Sequence, residues 1–584
     1  MASLLGEIKR RKVFQVAAVY AVVAWLLVEI TATVEEPLSL PGWADTLVIV
    51  LVVIGFPLAL ILSWVFDMTP RGIIRTTESS ATNETVSGAN ESAPQVQDEP
   101  KREILPNSVA VLPFENLSPN ADDAYFAAGI HEELLNQLAK IRDLRVIART
   151  SVMQYEGARR PVSEIAGELR VGTLMEGSVR YAGSRVRVAA QLIDAATEDH
   201  LWSEVYERDL ADVFAIQADI ATQIATALKA EFSPAEQQRV ERPLTRSPEA
   251  HARYLQAMAA VQQGGIEWVI TSPEVRTRIQ SLLDDAIAVD PDFALAHVQR
   301  ARVHTGSLLF DIGTEESFAE HRAELENLAL QDLEKALTLD PNLGAAYAAL
   351  ARIHQYNWRA AEAEAAYERA IQLRPNDPEV LCDAAMFKSS TDRLEEAIDL
   401  GRRALALDPG SARANIWVAL IYLTAHDYAA AEPAYRSAAE LAPTQSFPHA
   451  CLALLESASG NAAAAVREAK IAEQLLVDNT NPAHLSVAIY VYGLIGLRED
   501  AKRLFARLEQ TAATRRVAAG ARAQGYLGVG DNEQALYWLK RAAETREPYE
   551  GYFSILGLKA NQFSDPVLDQ PEFVEVRSRL GFRE

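Results

Sequence analysis

Cysteine is nearly absent from this sequence, with only Cys382 and Cys451 among 584 residues. That excludes a disulfide scaffold and a four-thiolate metal site, so the two thiols read as small buried apolar residues. Glycine (28) and proline (26) are too sparse for collagen-like or low-complexity architecture. Positive charge is in deficit: 56 Lys and Arg against 80 Asp and Glu leave a net charge of −24. Phosphate backbones need clustered Lys and Arg, so no nucleic-acid partner is expected. Also missing are a P-loop, a Gly-x-Ser-x-Gly elbow, a His-Glu-x-x-His helix and a dinucleotide glycine fingerprint in a strand-to-helix context. The nearest approach, Gly528-Val529-Gly530, reads as a turn between two helices. His297 and His304 share a helix face but have no third ligand, so they read as repeat-helix packing or solvent-exposed residues. His131-Glu132-Glu133 reads as a solvated helix face. No catalytic residue, cofactor or metal ligand is assigned, and the chain is not expected to be an enzyme.

What is present suggests three or four globular units, given the length and an apolar content of 49%. Two apolar runs, 14–34 and 46–66, each have the length a helix needs to cross a bilayer. Trp43 just precedes the second run, Trp64 lies near its end, and Pro57 would kink it. Lys9, Arg10, Arg11 and Lys12 precede the first run, the connecting loop carries only acidic charge, and Arg71 and Arg75 follow the second. The positive-inside bias then predicts a membrane hairpin over 1–75, with the lipid bilayer as a partner. The soluble domains would sit on the cytoplasmic side of a bacterial inner membrane, with the periplasmic side as the alternative. Glu29 is read either as a functional intramembrane carboxylate or as a residue reaching the outer interface. Residues 76–104 are polar and aperiodic, and predict a flexible linker.

From Ser108 the pattern alternates between strands and helices. "SVAVLPFEN" and "LRVIAR" read as strands, and Phe126, Ile130, Leu134 and Leu138 mark an amphipathic helix. A hairpin turns at Ala182-Gly183-Ser184, "HLWSEVYER" adds a strand, and a helix closes the segment. This predicts a mixed α/β sandwich domain over 105–240. The strings "SVAVLPFENLSPNADDAYFAAGIHEELLNQLAKIRDLRVIARTS", "LMEGSVRYAGSRVRVAAQLIDAATEDHLWSEVYERDL" and "DVFAIQADIATQIATAL" resemble the FlgO/TolB-amino-terminal-like domain. The resemblance implies an accessory, non-catalytic domain found with TPR arrays in bacterial envelope and signalling proteins, and it transfers no active-site residue. The apolar hairpin followed by "DMTPRGI" likewise resembles the membrane module that precedes such domains. In some relatives that module is a winged helix or a class III cyclase domain. With 13 residues ahead of the first run, neither is expected here.

Pro291, Pro341, Pro375, Pro409 and Pro443 close a recurring Leu-Asp-Pro-like string, the last four spaced by 34 residues. A 34-residue period is the tetratricopeptide signature of two helices per unit. Units are expected to begin near Gly344, Pro378, Ala412 and Ser446, and further units near Pro482 and Arg516. The small and aromatic residues Ala363, Tyr367, Ala370, Ala431, Tyr435 and Ala438 fall at the packing positions. About eight units over 245–550 form an all-α TPR solenoid, with 551–584 as a terminal cap. The first helix of each unit lines a concave groove, where register puts Arg352, Tyr356, Glu379, Met386, Arg413 and Thr424 as protein-binding residues. The expected whole is a multidomain, membrane-anchored protein-interaction scaffold, with self-association left open. The alternative is a sensory receptor whose α/β domain binds a small ligand or envelope component.

Overall fold

The computed structural model describes residues 66–69, 72–75, 105–118, 124–158, 160–182, 185–209, 213–231, 233–263, 273–310, 315–391, 393–476, 482–514, 516–545 and Pro571. The chain divides into two compact units, residues 1–98 and 99–584. In the first unit, the described residues form one antiparallel hairpin of β1 (Phe66–Thr69) and β2 (Gly72–Arg75), with Phe66 opposite Arg75. Apart from Phe66, the two apolar runs lie outside the described residues, as do the linker 76–104 and, apart from Pro571, the segment 551–584.

The multi-pass inner-membrane placement, with the bilayer as a partner, is corrected here. Among the described residues no helix is long and apolar enough to cross a membrane. The longest, Glu315–Leu339, has 25 residues but carries Glu, Asp, Arg and Lys along its length. Hydrocarbon does not tolerate that pattern. The second apolar run also ends in a strand at Phe66 rather than in a helix.

In the second unit, β3 (Leu105–Val111), β5 (Arg145–Val146), β6 (Val171–Ala182), β7 (Arg185–Asp194) and β8 (His200–Asp209) lie in the order β5-β3-β6-β7-β8. The short β4 (Glu115–Asn116) pairs with β6. β3 runs parallel to β5 and β6, whereas β6, β7 and β8 are antiparallel, giving a mixed sheet. Period-two patterning sets its faces. Val186, Val188, Ala190 and Leu192 point into a core shared with helices α1 (Ala124–Leu138) and α4 (Val213–Ala227). A second, smaller core under β3 and β6 packs against α3 (Val162–Leu169), which follows the one-turn helix α2 (Arg149–Val152). A capping box of Ser233 and Glu236 starts α5 (Pro234–Glu241).

Eight helical hairpins follow among the described residues. They are α6 (Pro248–Gln263) with α7 (Pro273–Val289), α8 (Ala294–Phe310) with α9 (Glu315–Leu339), and α10 (Gly344–Tyr356) with α11 (Ala360–Leu373). Next come α12 (Pro378–Ser390) with α13 (Leu394–Leu407), and α14 (Ala412–Thr424) with α15 (Tyr428–Leu441). The last are α16 (Ser446–Ala458) with α17 (Ala462–Leu475), α18 (Pro482–Leu494) with α19 (Arg498–Ala512), and α20 (Ala519–Val529) with α21 (Asn532–Glu544). Caps mark several starts: Asp377 accepts from the amides of Glu379 and Val380, and Ser411 from that of Ala414. The turn inside a hairpin needs a left-handed residue, supplied by Trp358, His426, Gly460, Gly496 and Gly530 at positive φ. Ala363, Ala370, Ala431 and Ala438 are fully buried and let helices approach, while the rings of Tyr367 and Tyr435 fill the space between. The approach is closest where Gly493 and Gly528 face each other across α18 and α20.

No break separates the sheet from the repeats. Ile130, Leu134 and Leu138 of α1 share one core with Tyr254 and Ala257 of α6, Ile279 and Leu283 of α7, and Phe293. Burying each large side chain contributes about 1.5–3 kcal/mol. Polar groups add a second joint, made by the turns between repeats. The Asn376 amide nitrogen donates to the carbonyls of Ile141, Arg142 and Leu144 at 3.1, 2.9 and 2.8 Å. One repeat later, the Ala148 amide donates to Leu407 O (2.8 Å), the Ser151 hydroxyl to Asp408 Oδ1 (2.7 Å), and the Gly410 amide to Ser151 Oγ (2.8 Å). A Cβ on Gly410 would lie 2.8 Å from Ser151 Cα, so the fit leaves no room for a side chain. One repeat earlier, Arg242 pairs with Asp340 at 2.8 Å and donates to Leu339 O at 2.8 Å. Three successive Leu-x-Pro turns therefore carry the sheet domain.

Gly528→Ala is expected to destabilise by about 1–3 kcal/mol, because its Cβ would meet Ile489 O at 2.5 Å. Gly460→Ala meets nothing within 4 Å and should cost only the left-handed backbone strain, about 1 kcal/mol. Thermal unfolding of the two variants checks that order. At the joint, burial lifts Asp408 to about 6, against the Ser151 hydrogen bond and the Arg413 guanidinium. The folded state thus favours the protonated acid. That stabilisation is complete below about pH 4 and is lost as pH rises through 6. Asp408→Asn keeps an acceptor for Ser151 without the charge. It should raise the melting temperature at pH 7.5, by an amount equivalent to about 2–3 kcal/mol, and by less at pH 5.

Candidate functional site

Between the sheet domain and the array lies a cavity of about 1330 Å³. Helices α1, α5 and α6 wall one side, and the first helices of successive repeats (α8, α10, α12 and α14) wall the other. Leu135, Tyr254, Met258 and Leu295 contribute apolar surface, and arginine and carboxylate side chains contribute most of the rest.

The repeat wall carries a chain of charges. Arg302 of α8 lies 2.5 Å from Glu379 of α12, and Arg352 of α10 lies 3.5 Å from the same carboxylate and 3.7 Å from Asp383. Arg413 of α14 reaches Asp383 at 3.4 Å and stacks over Trp417 with its guanidinium carbon 5.6 Å from the ring centre. Arg352 also donates to the Tyr356 hydroxyl at 3.3 Å. Three guanidinium groups therefore share two carboxylates. Burial works against ionisation of Glu379, but the guanidinium groups of Arg302, Arg413 and Arg352 outweigh it and hold the acid at about 2. Asp383 goes the other way: burial raises it, and the facing arginines offset only part of that. The two acids, four residues apart on one helix face, are electrostatically unequal.

The opposite wall belongs to α1. His131 is fully buried, with Nε2 2.8 Å from Val111 O and Nδ1 3.1 Å from Arg149 Nη1. A guanidinium only donates, so Nδ1 accepts and the proton is assigned to Nε2. Burial lowers the ring's pKa to about 4, which keeps it neutral. Glu132 faces Arg149 at 3.5 Å, and burial raises its pKa. Burial raises Glu133 to about 7, and the Lys140 ammonium pulls the other way. The tripeptide expected on a solvated face thus lies against the cavity and the core. Opposite it, Arg374 donates to Asn136 at 2.8 Å and pairs with Asp377 at 2.7 Å.

Of the six residues expected to line the groove, Arg352, Glu379 and Arg413 line the cavity, and Tyr356 is buried behind them, bonded to Arg352. Met386 and Thr424 do not line it: Met386 is packed in the array core, and Thr424 is buried with its hydroxyl donating to Leu420 O at 2.8 Å. His297 Nδ1 donates to Asp332 at 2.8 Å, and Arg300 holds the same carboxylate at 2.7 and 2.8 Å, so the histidine serves helix packing. Among the described residues, no group of three His, Cys, Asp or Glu side chains is placed to hold a metal ion. Cys382 and Cys451 are both buried, and burial pushes each thiol up to about 12. Sequence reasoning missed Asp383, although its four-residue spacing from Glu379 puts it on the same face. Arg302 was out of reach, because the 50-residue gap before Pro341 hid the repeat register of α8. Ser151, Asn376 and Asp408 left no signal, since their partners are more than 200 residues away.

Comparison with known proteins bears on the repeats. A family model described as tetratricopeptide repeat matches residues 344–377 and 412–445. The chain is 36% identical over 205 residues to "Putative adenylate cyclase 3" of Rhizobium meliloti (strain 1021), covering 35% of this chain and 34% of that protein. It is 32% identical over 120 residues to "Cytochrome c-type biogenesis protein CycH" of the same strain, covering 20% of this chain and 32% of that one. The chain thus spans about a third of the length of the curated relatives it matches. Among solved structures, that of the type IV pilus biogenesis factor PilW is 20% identical, covering 34% of this chain and 92% of PilW, with a TM-score of 0.29. The helix pairs α10–α11 and α14–α15 coincide with the matched stretches, so residues 344–377 and 412–445 are tetratricopeptide repeats.

Proposed function

We propose that the protein is an interaction scaffold that takes a partner polypeptide against the cavity-facing residues Arg302, Arg352, Glu379 and Arg413, with Asp383 supporting the last two arginines from behind. The observation that carries this reading is a charge chain on four successive inner helices, beside a cavity of about 1330 Å³. Small-ligand pockets usually span about 300–1,000 Å³, so a polypeptide segment suits the space better. Desolvated arginines that already hold carboxylates are typical anchors of protein interfaces. Tyr356 is buried behind this surface and accepts from Arg352 at 3.3 Å, which helps hold the guanidinium in place.

The mixed-sheet domain contributes a wall. Its likeness to the FlgO/TolB-amino-terminal-like domain supports an accessory, non-catalytic role. In open parallel sheets, ligands occupy the crevice beyond the strand carboxyl ends. Here the turn around Asp408 packs against that edge at Ala148 and Ser151, which disfavours the small-ligand receptor. The match to a relative named as a cyclase covers a third of that protein and brings no catalysis into this reading.

A double variant, Arg352→Gln with Arg413→Gln, tests the cluster against Arg369→Gln on a second helix of the array. Proteins captured by the full-length wild type should be retained by the Arg369 variant and lost at least about tenfold from the double variant. Circular dichroism must show equal helix content in all three. Equal capture by all three would refute the cluster as the binding surface.

A further inference from the structure

The edge strand β8 lies apart from the residues that line the cavity. It pairs only with β7 among the described residues, so its other edge is a row of unpaired backbone donors and acceptors. Its inner face is secured: Tyr206 is buried and donates to Asp219 of α4 at 2.7 Å. Its outer face is bare, with Val205 52% and Leu201 43% exposed, in a region of the sheet that α3 does not cover. Exposed sheet edges of this length recruit another strand unless they are blunted.

Two features of β8 select which strand. The register to β7 shifts between Leu192, opposite Trp202, and Ile193, opposite His200. Leu201 is therefore the extra residue of a bulge, and regular pairing begins after it. Charge comes second. In an antiparallel pair, facing residues lie on the same side of the sheet. For two copies of β8 related by a two-fold axis, this allows any register centred on a residue and excludes those centred between two residues. Centring on Glu204 or Glu207 opposes like charges. Centring on Ser203 or Val205 draws the bulge into the ladder. Centring on Tyr206 uses 203–209 alone. It places Glu204 opposite Arg208 at both ends of the pair, Val205 opposite Glu207, and Ser203 opposite Asp209. Glu204 and Arg208 are both exposed, and among the described residues neither has an ion-pair partner.

We propose that β8 pairs antiparallel with β8 of a second copy of this chain, centred on Tyr206, joining two sheets across a two-fold axis. The interface is isologous, so each attractive pair occurs twice. A seven-residue ladder is small, which puts the association in the weak, transient class with a dissociation constant of about 10–100 μM.

Sedimentation velocity of the full chain at low salt tests this. The wild type should show a concentration-dependent dimer. Glu204→Arg sets arginines against each other twice and should raise the dissociation constant about tenfold or more. Adding Arg208→Glu should restore the dimer. For a readout independent of charge, Ser203→Cys with Asp209→Cys should give an intermolecular disulfide on mild oxidation, while Ser203→Cys alone should not. Cys382 and Cys451 are buried and do not compete. The proposal is overturned if the wild type is monomeric at about 300 μM. It is equally overturned if Glu204→Arg dimerises unchanged, or if the charge swap fails to rescue while thermal unfolding shows all variants folded.

Discussion

Backbone groups at the strand ends and helix ends of the sheet domain are satisfied by the repeat array instead of by water, and the rest of the second unit is arranged around that exchange. The carbonyls of Ile141, Arg142 and Leu144 share one amide, from Asn376. The Ala148 amide finds Leu407 O, and the Gly410 amide finds Ser151 Oγ. Orphaned buried backbone groups cost about 1–3 kcal/mol each, so the sheet domain has one low-energy seat on the array. The continuous apolar core from α1 through α6 and α7 brings the two parts together, and the turns set their register.

That seating decides what the concave surface can be. Without it, the first helices of the repeats would face open solvent. With it, Arg302, Arg352 and Arg413 face a cavity whose other wall is α1, where Glu132 faces Arg149 and the buried Glu133 feels the Lys140 ammonium. Fields are stronger in such a space than at an open surface. The opposite shifts of Glu379 and Asp383 follow from that crowding. Burial works against ionisation of both, and each carboxylate has two guanidinium partners. Arg302 reaches Glu379 at 2.5 Å and lowers it, while burial dominates at Asp383 and raises it. In a chain carrying 80 acidic residues against 56 basic ones, three clustered arginines at the repeat wall are a local reversal of charge.

The array was legible because its physics is periodic. A proline every 34 residues, with alanine and tyrosine at fixed offsets, corresponds to helices that start at Gly344, Pro378, Ala412 and Ser446. The strands were legible for the same reason, as with Val186, Val188, Ala190 and Leu192 along β7. Groove positions were half legible. Helical register identifies the inner face, but Met386 and Thr424 sit where neighbouring helices close over that face. The burial of His131 was not legible, because a hydrogen bond to Val111 O and another to Arg149 compensate a polar ring on an otherwise apolar face. The apolar runs near the start suggested spans from their length and flanking charge; apart from Phe66 they lie outside the described residues, and among those residues no helix is long and apolar enough to cross a membrane. The joint was illegible in principle: it pairs single polar residues across more than 200 positions, and no local pattern encodes it.

Amide hydrogen exchange on the full-length protein addresses the seating directly, through the Ala148 and Gly410 amides. If the sheet domain rests on the repeat turns, both amides are protected far beyond ordinary loop residues, and they become exchangeable together on mild denaturant titration. Exchange at unstructured-loop rates, while the flanking helices α13 and α14 stay protected, would contradict the docked arrangement and the walled cavity that depends on it.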